Sequence, residues 1–307
     1  MRVLVVGAGG TGGYFGGRLL QAGRDVTFLV RPRRAPQLAA NGLVLVGPTE
    51  TVRIPHPPTV QADAPPTPFD LVLLSCKAYD LDDAIASFAP FVAPHTMILP
   101  VLNGMRHVDV LAARFGERAV LGGLCMISGT LDDDGTIRQL TPVHTIVFGE
   151  REGARTDRIA AVERELVGAG FDARRSDAIM REMWDKWVFI ATGAGITCLM
   201  RATVGEIEAA GGAPIASALL DECAAIAARA GFAPSDAVLD RTRRTFMAAG
   251  SDLTASMFRD LERGGRTEGD HLLGDLLRRG TRAEDPTSIL RVAHVHVAAY
   301  EVRRRRG

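Results

Sequence analysis

A chain of 307 residues exceeds the roughly 100–200 of one typical domain and is read as about two domains, each long enough to bury a core. With 47% hydrophobic and 23% charged residues it lies inside the globular range, which excludes a disordered or fibrous chain. Lys plus Arg and Asp plus Glu both number 36, so no net field selects nucleic acid or an anionic membrane, and the partner is read as a small molecule.

Residues 2–6 (RVLVV) form a β-branched apolar run that breaks into the glycine-rich stretch 7–12 (GAGGTG) and flows into a helical pattern over 14–22. Gly23 ends that predicted helix, and residues 25–30 (DVTFLV) supply a second strand, completing a βαβ unit of about 30 residues. Residues 43–55 read as a hairpin around Gly47-Pro48. Buried-strand runs follow at 71–75, 97–102, 120–126 and 145–149, several of them separated by helical stretches, which predicts a mostly parallel sheet. Residues 126–148 read as strands around the turn 132–135, a second antiparallel addition. From about Ser176 strand signals stop, and stretches rich in Ala, Leu, Met, Glu and Arg are broken near Gly211-Gly212, 231–234 and Gly264-Gly265. The predicted fold class is α/β: an N-terminal Rossmann-type doubly wound sheet (residues 1–175), an all-helical C-terminal domain (residues 176–307), and a catalytic cleft between them.

Gly7, Gly9 and Gly12 make a GxGxxG pattern, weak by itself, but here it follows a predicted strand and opens a predicted helix. Gly7 permits the tight turn, Gly9 the approach of a pyrophosphate, and Gly12 close packing of helix on strand; the run Gly9, Gly10, Thr11 also brings helix N-terminal N–H groups to the diphosphate. The alternative is a structural glycine loop. At the end of the second strand, where an acid would bind the ribose 2′-hydroxyl of NAD, the sequence has Arg31, followed by Arg33 and Arg34, and no acid over 26–37. A guanidinium grips a phosphate through paired hydrogen bonds, so NADP is the expected cofactor. Arg33 and Arg34 read equally as a solvated loop. Lys77 and Asn103 leave the C-terminal ends of predicted strands, where open α/β sheets bind ligands; the plainer readings are a surface lysine and an Asn-Gly turn pair.

Cys76, Cys125, Cys198 and Cys223 lie far apart in apolar segments, which suits free thiols in a reducing compartment. The chain lacks a signal-peptide layout or an 18-residue uncharged apolar run, so the expected setting is cytoplasmic, with no membrane partner. The seven histidines show no metal spacing, and no metal is expected. The basic run 303–306 is either a surface patch or a solvated helix end. The helical domain is also where a homodimer interface would form.

Several motifs coincide with one family. The sequence resembles the ketopantoate reductases (2-dehydropantoate 2-reductases), which reduce a 2-oxo acid to a 2-hydroxy acid in pantothenate synthesis. The matching pieces are VVGAGGTGGYFGGRL at the start, Arg31, SCKAYDL around Lys77, LPVLNGM around Asn103, MWDKW around Lys186, TASM around Ser256 and RTEGDHLLGDLLRR around Glu268. The resemblance implies that Lys186 is the general acid that protonates the carbonyl oxygen as hydride arrives, and that Glu268 orients the lysine and substrate. It further implies that Ser256 binds the substrate carboxylate, that Asn103 lines the junction of nicotinamide and substrate, and that Lys77 and Arg31 hold the adenosine end.

The residues alone support part of this. In a helix predicted over 177–200, Lys186 shares a face with Met183, Phe189 and Ile190, an environment that would lower its proton affinity toward a range useful for proton transfer. The alternative is a snorkelling lysine with an exposed head. Glu268 has a bland reading too, as an acid in the first turn of a helix capped by Thr267. The family commonly carries asparagines four and eight residues after the lysine and another after the glutamate; here those positions are Ile190, Ala194 and Leu273. Ile190 and Ala194 share the Lys186 face and are placed in the substrate wall. The expected function is NADPH-dependent reduction of a 2-oxo acid, 2-dehydropantoate first among them. The alternatives are a reductase of the same fold acting on another small carbonyl or imine, and a non-catalytic NADP-binding sensor.

Overall fold

The computed structural model of the protein describes residues 1–281 and 284–306. The run RVLVV becomes β1 (Arg2–Val6), and residues 3–6 are buried, the setting that branched apolar side chains of a central parallel strand require. Flanking it are β2 (Asp25–Leu29) and β6 (Leu71–Leu74), with β5 (Thr59–Val60) beside β2 and β7 (Met97–Pro100) beside β6. All four pairings are parallel, in the order β5-β2-β1-β6-β7. In chain order within this sheet that is 3-2-1-4-5, which puts the topological switch at the C-terminal end of β1. The connecting helices are α1 (Gly12–Gln21), α2 (Arg34–Asn41), α3 (Leu81–Phe88) and α4 (Arg106–Phe115).

A second sheet runs β10-β9-β3-β4, with β8 on β9. The hairpin expected over 43–55 is β3 (Leu43–Val46) against β4 (Thr51–Ile54), and the pair around 132–135 is β8 (Gly122–Leu131) against β9 (Ile137–Gly149), both antiparallel. One expectation needs correction: the run 120–126 is not a further strand of the parallel sheet. Val120 makes a single parallel bridge to Ile98, and from Gly122 the chain pairs with β9 instead. Gly123 passes so near β7 that a Cβ there would lie 2.4 Å from the Pro100 carbonyl oxygen, so the chain skims the first sheet on its way to the second. The sequence also hides β5 and β10 (Asp172–Arg175), a two-residue strand and a polar edge strand parallel to β9. Helix α5 (Asp157–Leu166) precedes β10 and is capped by Thr156, whose hydroxyl accepts from the Ile159 N–H.

Helix α1 packs among strands of both sheets, and Phe15, Leu19, Phe28, Leu43, Leu45, Ile137 and Phe148 form one continuous core with β1. Beneath it the Tyr14 hydroxyl meets Gln139 Oε1 (2.8 Å) and His144 Nδ1 (2.6 Å), while the buried Arg18 donates to Tyr14 Oη (3.3 Å) and pairs with Glu50. Those partners keep polar groups in the core from being stranded without hydrogen bonds.

The chain forms two compact units: residues 1–102 with 107–180, and residues 103–106 with the remainder from Arg181. Among the described residues the second contains no strand. Its helices are α6 (Ile179–Met200, entering from the first unit), α7 (Val204–Ala209), α8 (Ala213–Arg229), α9 (Asp236–Phe246), α10 (Ser256–Glu262), α11 (Asp275–Arg278) and α12 (Ile289–Arg304). Residues 191–198 of α6 are all buried, so the second half of α6 is enclosed around its whole circumference, while its first half keeps a polar face with Arg181 exposed. The buried hydroxyls of Thr192 and Thr197 are satisfied inside it by the carbonyls four residues back, at 2.8 and 2.7 Å. Glu222 of α8 accepts from Ser288 Oγ and from the N–H groups of Ile289 and Leu290, capping α12 from a neighbouring helix. No helix among the described residues is long and apolar enough to cross a membrane, and no disulfide joins the four cysteines.

The segment after Thr267 departs from expectation. Residues Asp270–Gly274 form a π-helical turn that continues into α11, and its first residue is not capped by a side chain. The Thr267 N–H and hydroxyl both donate instead to Glu301 Oε1 of α12, at 2.7 and 2.9 Å. A carboxylate across the fold has taken the hydroxyl that the sequence offered as a cap.

Candidate functional site

In the first unit the glycine stretch turns directly off β1. Gly7 sits at φ +95°, a backbone region costly for any residue with a Cβ, and its N–H donates to the Leu29 carbonyl at 3.0 Å. Gly12 stands where a Cβ would fall 2.1 Å from Ser75 Oγ and 2.3 Å from Gly7 O, so only glycine lets α1 start this close to β1 and β6. Ser75 donates to the Val6 carbonyl at 3.2 Å, which joins the ends of the two strands. Beside Gly9 the space is open to at least 4 Å, Gly10 lies against the backbone of Gly129, and Thr11 leads into α1 without a capping side-chain bond. The first turn of α1 carries no acidic residue. A diphosphate fits this arrangement: open space at Gly9, an uncontested helix N-terminus, and no carboxylate in the first turn to repel it.

Arg31 is 64% exposed and pairs at 3.1 Å with Asp80, on the short turn Ala78–Asp80 that Lys77 begins. Arg31 and Lys77 therefore border one edge of the site, although the sequence separates them. The acid that bears on the end of β2 is thus not in β2 or the residues after it but comes from another loop. Arg33 is exposed, whereas Arg34 is not the solvated residue that one reading allowed. Its Nε donates to the Ala8 carbonyl (3.2 Å), its Nη2 to the Gly135 carbonyl (3.0 Å), and its Nη1 to Gln37. It thereby ties the glycine stretch to the β8–β9 turn, and burial pushes its guanidinium below the ordinary arginine range.

In the second unit Lys186 and Ile190 are half-buried on α6, and Glu268 is buried at 9% exposure. Two hydrogen bonds connect the elements that carry them. Trp187 Nε1, next to Lys186, donates to the Leu272 carbonyl in the π turn at 2.9 Å, and His271 Nε2 of that turn donates to the Asn103 carbonyl at 2.8 Å. The elements bearing Lys186, Glu268 and Asn103 are thus locked to one another. Ser256 is the exposed first residue of α10. Trp187 and His271 were not singled out by the sequence; a tryptophan and a histidine in apolar surroundings are ordinary core residues until their partners are seen. Asp185 beside Lys186 has its carboxyl pushed up by burial, and one of its oxygens is buried without a partner. Among the described residues no group of His, Cys, Asp and Glu is placed to hold a metal ion.

Residues 3–153 match the family described as ketopantoate reductase PanE/ApbA, and residues 178–301 match its C-terminal part, ketopantoate reductase PanE/ApbA C terminal. The chain belongs to the ketopantoate reductase family. It is 39% identical over 302 residues to the uncharacterized oxidoreductase YkpB of Bacillus subtilis, covering 98% of this chain and 99% of that one. It is 29% identical over 309 residues to the 2-dehydropantoate 2-reductase of Mesorhizobium japonicum, with 94% of each covered. The crystal structure of 2-dehydropantoate 2-reductase from Geobacter metallireducens superposes with a TM-score of 0.87 at 27% identity, covering 97% of this chain and 99% of that one. The Rossmann-type first half and helical second half are those of the ketopantoate reductases, and the family is one of oxidoreductases. At the three positions where the sequence departs from the ketopantoate reductase pattern, Ala194 and Leu273 are buried at 1% and 0% exposure, and Ile190 alone keeps accessible surface.

Proposed function

We propose that the chain is an NADPH-dependent reductase of a 2-oxo acid, with 2-dehydropantoate the first substrate to test, acting in the cytoplasm. The observation that carries this reading is the lock between the Lys186 helix and the segment that holds the buried Glu268, made by Trp187 on the Leu272 carbonyl. A binding-only protein has no need to tie a lysine-bearing helix to the segment that carries a buried carboxylate.

Gly7, Gly9, Gly10, Thr11 and Gly12 would hold the diphosphate, with Arg31 and Lys77 at the adenosine end and Asn103 at the nicotinamide. NADPH supplies the hydride. Lys186 then has two tasks: its ammonium hydrogen-bonds the substrate carbonyl oxygen and transfers a proton to that oxygen as negative charge grows there. Glu268 orients the ammonium and the incoming substrate, and Ser256 takes the substrate carboxylate. Replacing Lys186 by Ala should lower kcat by about 10² to 10⁴ while NADPH affinity stays nearly unchanged. A variant that keeps most of its kcat would remove Lys186 from the role.

Ile190 favours a second reading of the substrate. An apolar wall at this half-buried position must strip water from a substrate hydroxyl without replacing the bonds, but it rejects that hydroxyl by only about 10²-fold. Accordingly 3,3-dimethyl-2-oxobutanoate, which lacks the hydroxyl of ketopantoate, should be reduced with comparable kcat/KM, and Ile190→Asn should shift the ratio toward ketopantoate. A wild-type preference of several hundredfold for ketopantoate would show that another residue reads the hydroxyl.

A further inference from the structure

His271 is a buried imidazole in the first turn after Glu268, and its Nε2 bonds to the Asn103 loop. The acceptor of its 2.8 Å bond is the Asn103 carbonyl, so Nε2 carries the hydrogen and the tautomer is fixed. The loop lies flush on the ring: Gly104 has φ +80°, and a Cβ there would meet His271 Cδ2 and Nε2 at 2.9 Å. On the other side of the same turn, the Leu272 carbonyl accepts from Trp187 Nε1, the residue after Lys186. A π turn supplies the geometry for both contacts, because the extra residue widens the helix and re-aims successive groups; such turns recur at functional sites. Two consecutive residues, His271 and Leu272, therefore grip the Asn103 loop and the Lys186 helix respectively.

We propose that His271 is a positioning residue: its Nε2–H, donated to the Asn103 carbonyl, fixes the reach of the Asn103 side chain relative to Glu268 and Lys186. This rests on the reading that those three residues serve the reductase site. Glu268 and Asp275 bear on the imidazole with negative charge, and Arg106 with positive charge, while burial keeps the ring neutral and hence in a single donor tautomer at neutral pH. Losing the donor would leave the loop backbone where it is packed but free to shift by fractions of an ångström. Misplacement on that scale is felt in kcat far more than in cofactor affinity.

The test uses the full-length protein and the variants His271→Phe, His271→Gln, Asn103→Ala and His271→Phe/Asn103→Ala. Phe keeps the ring volume without a donor, and Gln restores an N–H donor. In His271→Phe, hydrogen exchange over residues 101–106 should quicken while exchange in α8 and α12 does not. Its kcat on the best 2-oxo acid should fall by about 10-fold to 100-fold, with NADPH affinity within a few-fold of wild type. His271→Gln should recover most of both losses, and in the Asn103→Ala background His271→Phe should add nothing further, as expected of residues acting as a unit. Unchanged exchange over 101–106 in His271→Phe, or losses that simply multiply in the double variant, would overturn the proposal. So would imidazole nitrogen resonances of the wild type showing the Nδ1–H tautomer, a reading that needs no variant to fold. If wild type reduces no 2-oxo acid, the functional reading fails on its own, and the exchange and tautomer measurements still decide the role of His271.

Discussion

Arg31 and Asp80 show how a single contact changes the argument for the cofactor. The pair is exposed, 64% on the arginine side and 24% on the aspartate, and such pairs contribute about 0–1 kcal/mol. On the proposed NADPH reading, a 2′-phosphate would offer the same guanidinium charge-assisted bonds of about 1.5–3 kcal/mol and would displace the carboxylate. Arg31→Ala should therefore weaken NADPH by that amount and NADH much less, whereas Asp80→Asn should strengthen NADPH relative to NADH by removing the competing negative charge. Dissociation constants of both cofactors for both variants check this, and equal losses for NADPH and NADH in Arg31→Ala would show that the 2′-phosphate is not read there. Arg31 stands out in the sequence because it ends a strand next to a glycine motif. Asp80 does not, because only the fold brings the turn after β6 beside the end of β2. The same limit applies to Arg34, whose partners Ala8 and Gly135 are remote from it in the chain and meet it only in the folded sheet.

At the scale of elements, period and punctuation carried the βαβ start, the two hairpins and the helical second half, since each has a local cause in apolar spacing or turn residues. What they missed were elements defined by a neighbour: β10 is polar and exists because β9 offers it an edge, and residues 120–126 read as a buried strand without saying which sheet would claim them. The π turn at 270–274 belongs with these, because the groups it bonds, Trp187 and the Asn103 loop, are remote from it in the chain. The contact of α1 with β1 and β6 is the opposite case, fixed by one local residue. A methyl group on Gly12 meets a movable hydroxyl at Ser75 but also the immovable Gly7 carbonyl at 2.3 Å. Gly12→Ala should thus cost about 1–3 kcal/mol in denaturant unfolding, the usual size of overpacking, and should weaken NADPH by displacing the helix start. Combining it with Ser75→Ala should recover little of this loss. Full recovery would mean that Ser75, not the Gly7 backbone, set the approach.

Over the whole molecule the 36 basic and 36 acidic side chains balance, so on the acid side of neutrality the first change in charge comes from the seven histidines. Burial pushes the imidazoles of His271, His294 and His296 below the ordinary histidine value of 6.5, with nearby Glu268 and Asp270 only partly offsetting this for the first two. Between their depressed folded values and 6.5 the unfolded chain binds more protons than the native one, so stability must fall as pH drops through that window and level off below it. A second fall follows at lower pH. Asp270 is held below 3.8 by the hydrogen bond from Arg278, and Glu301, despite burial, is held below its ordinary 4.5 by the Thr267 and Arg304 donors; both contributions vanish once these carboxylates are protonated. Asp185 runs the other way, since burial raises its carboxyl and its protonation in acid relieves that penalty, but it is one group against five. All six residues lie in the helical unit, so a probe there, such as Trp184 and Trp187 fluorescence, should report a lower denaturation midpoint at about pH 5.5 than at about pH 7.5. In His271→Phe the difference between the two midpoints should shrink, whatever happens to their absolute values, because one of the three proton-linked imidazoles is gone. Equal midpoints at the two pH values in wild type would mean that these three histidines bind protons alike in the folded and unfolded chains.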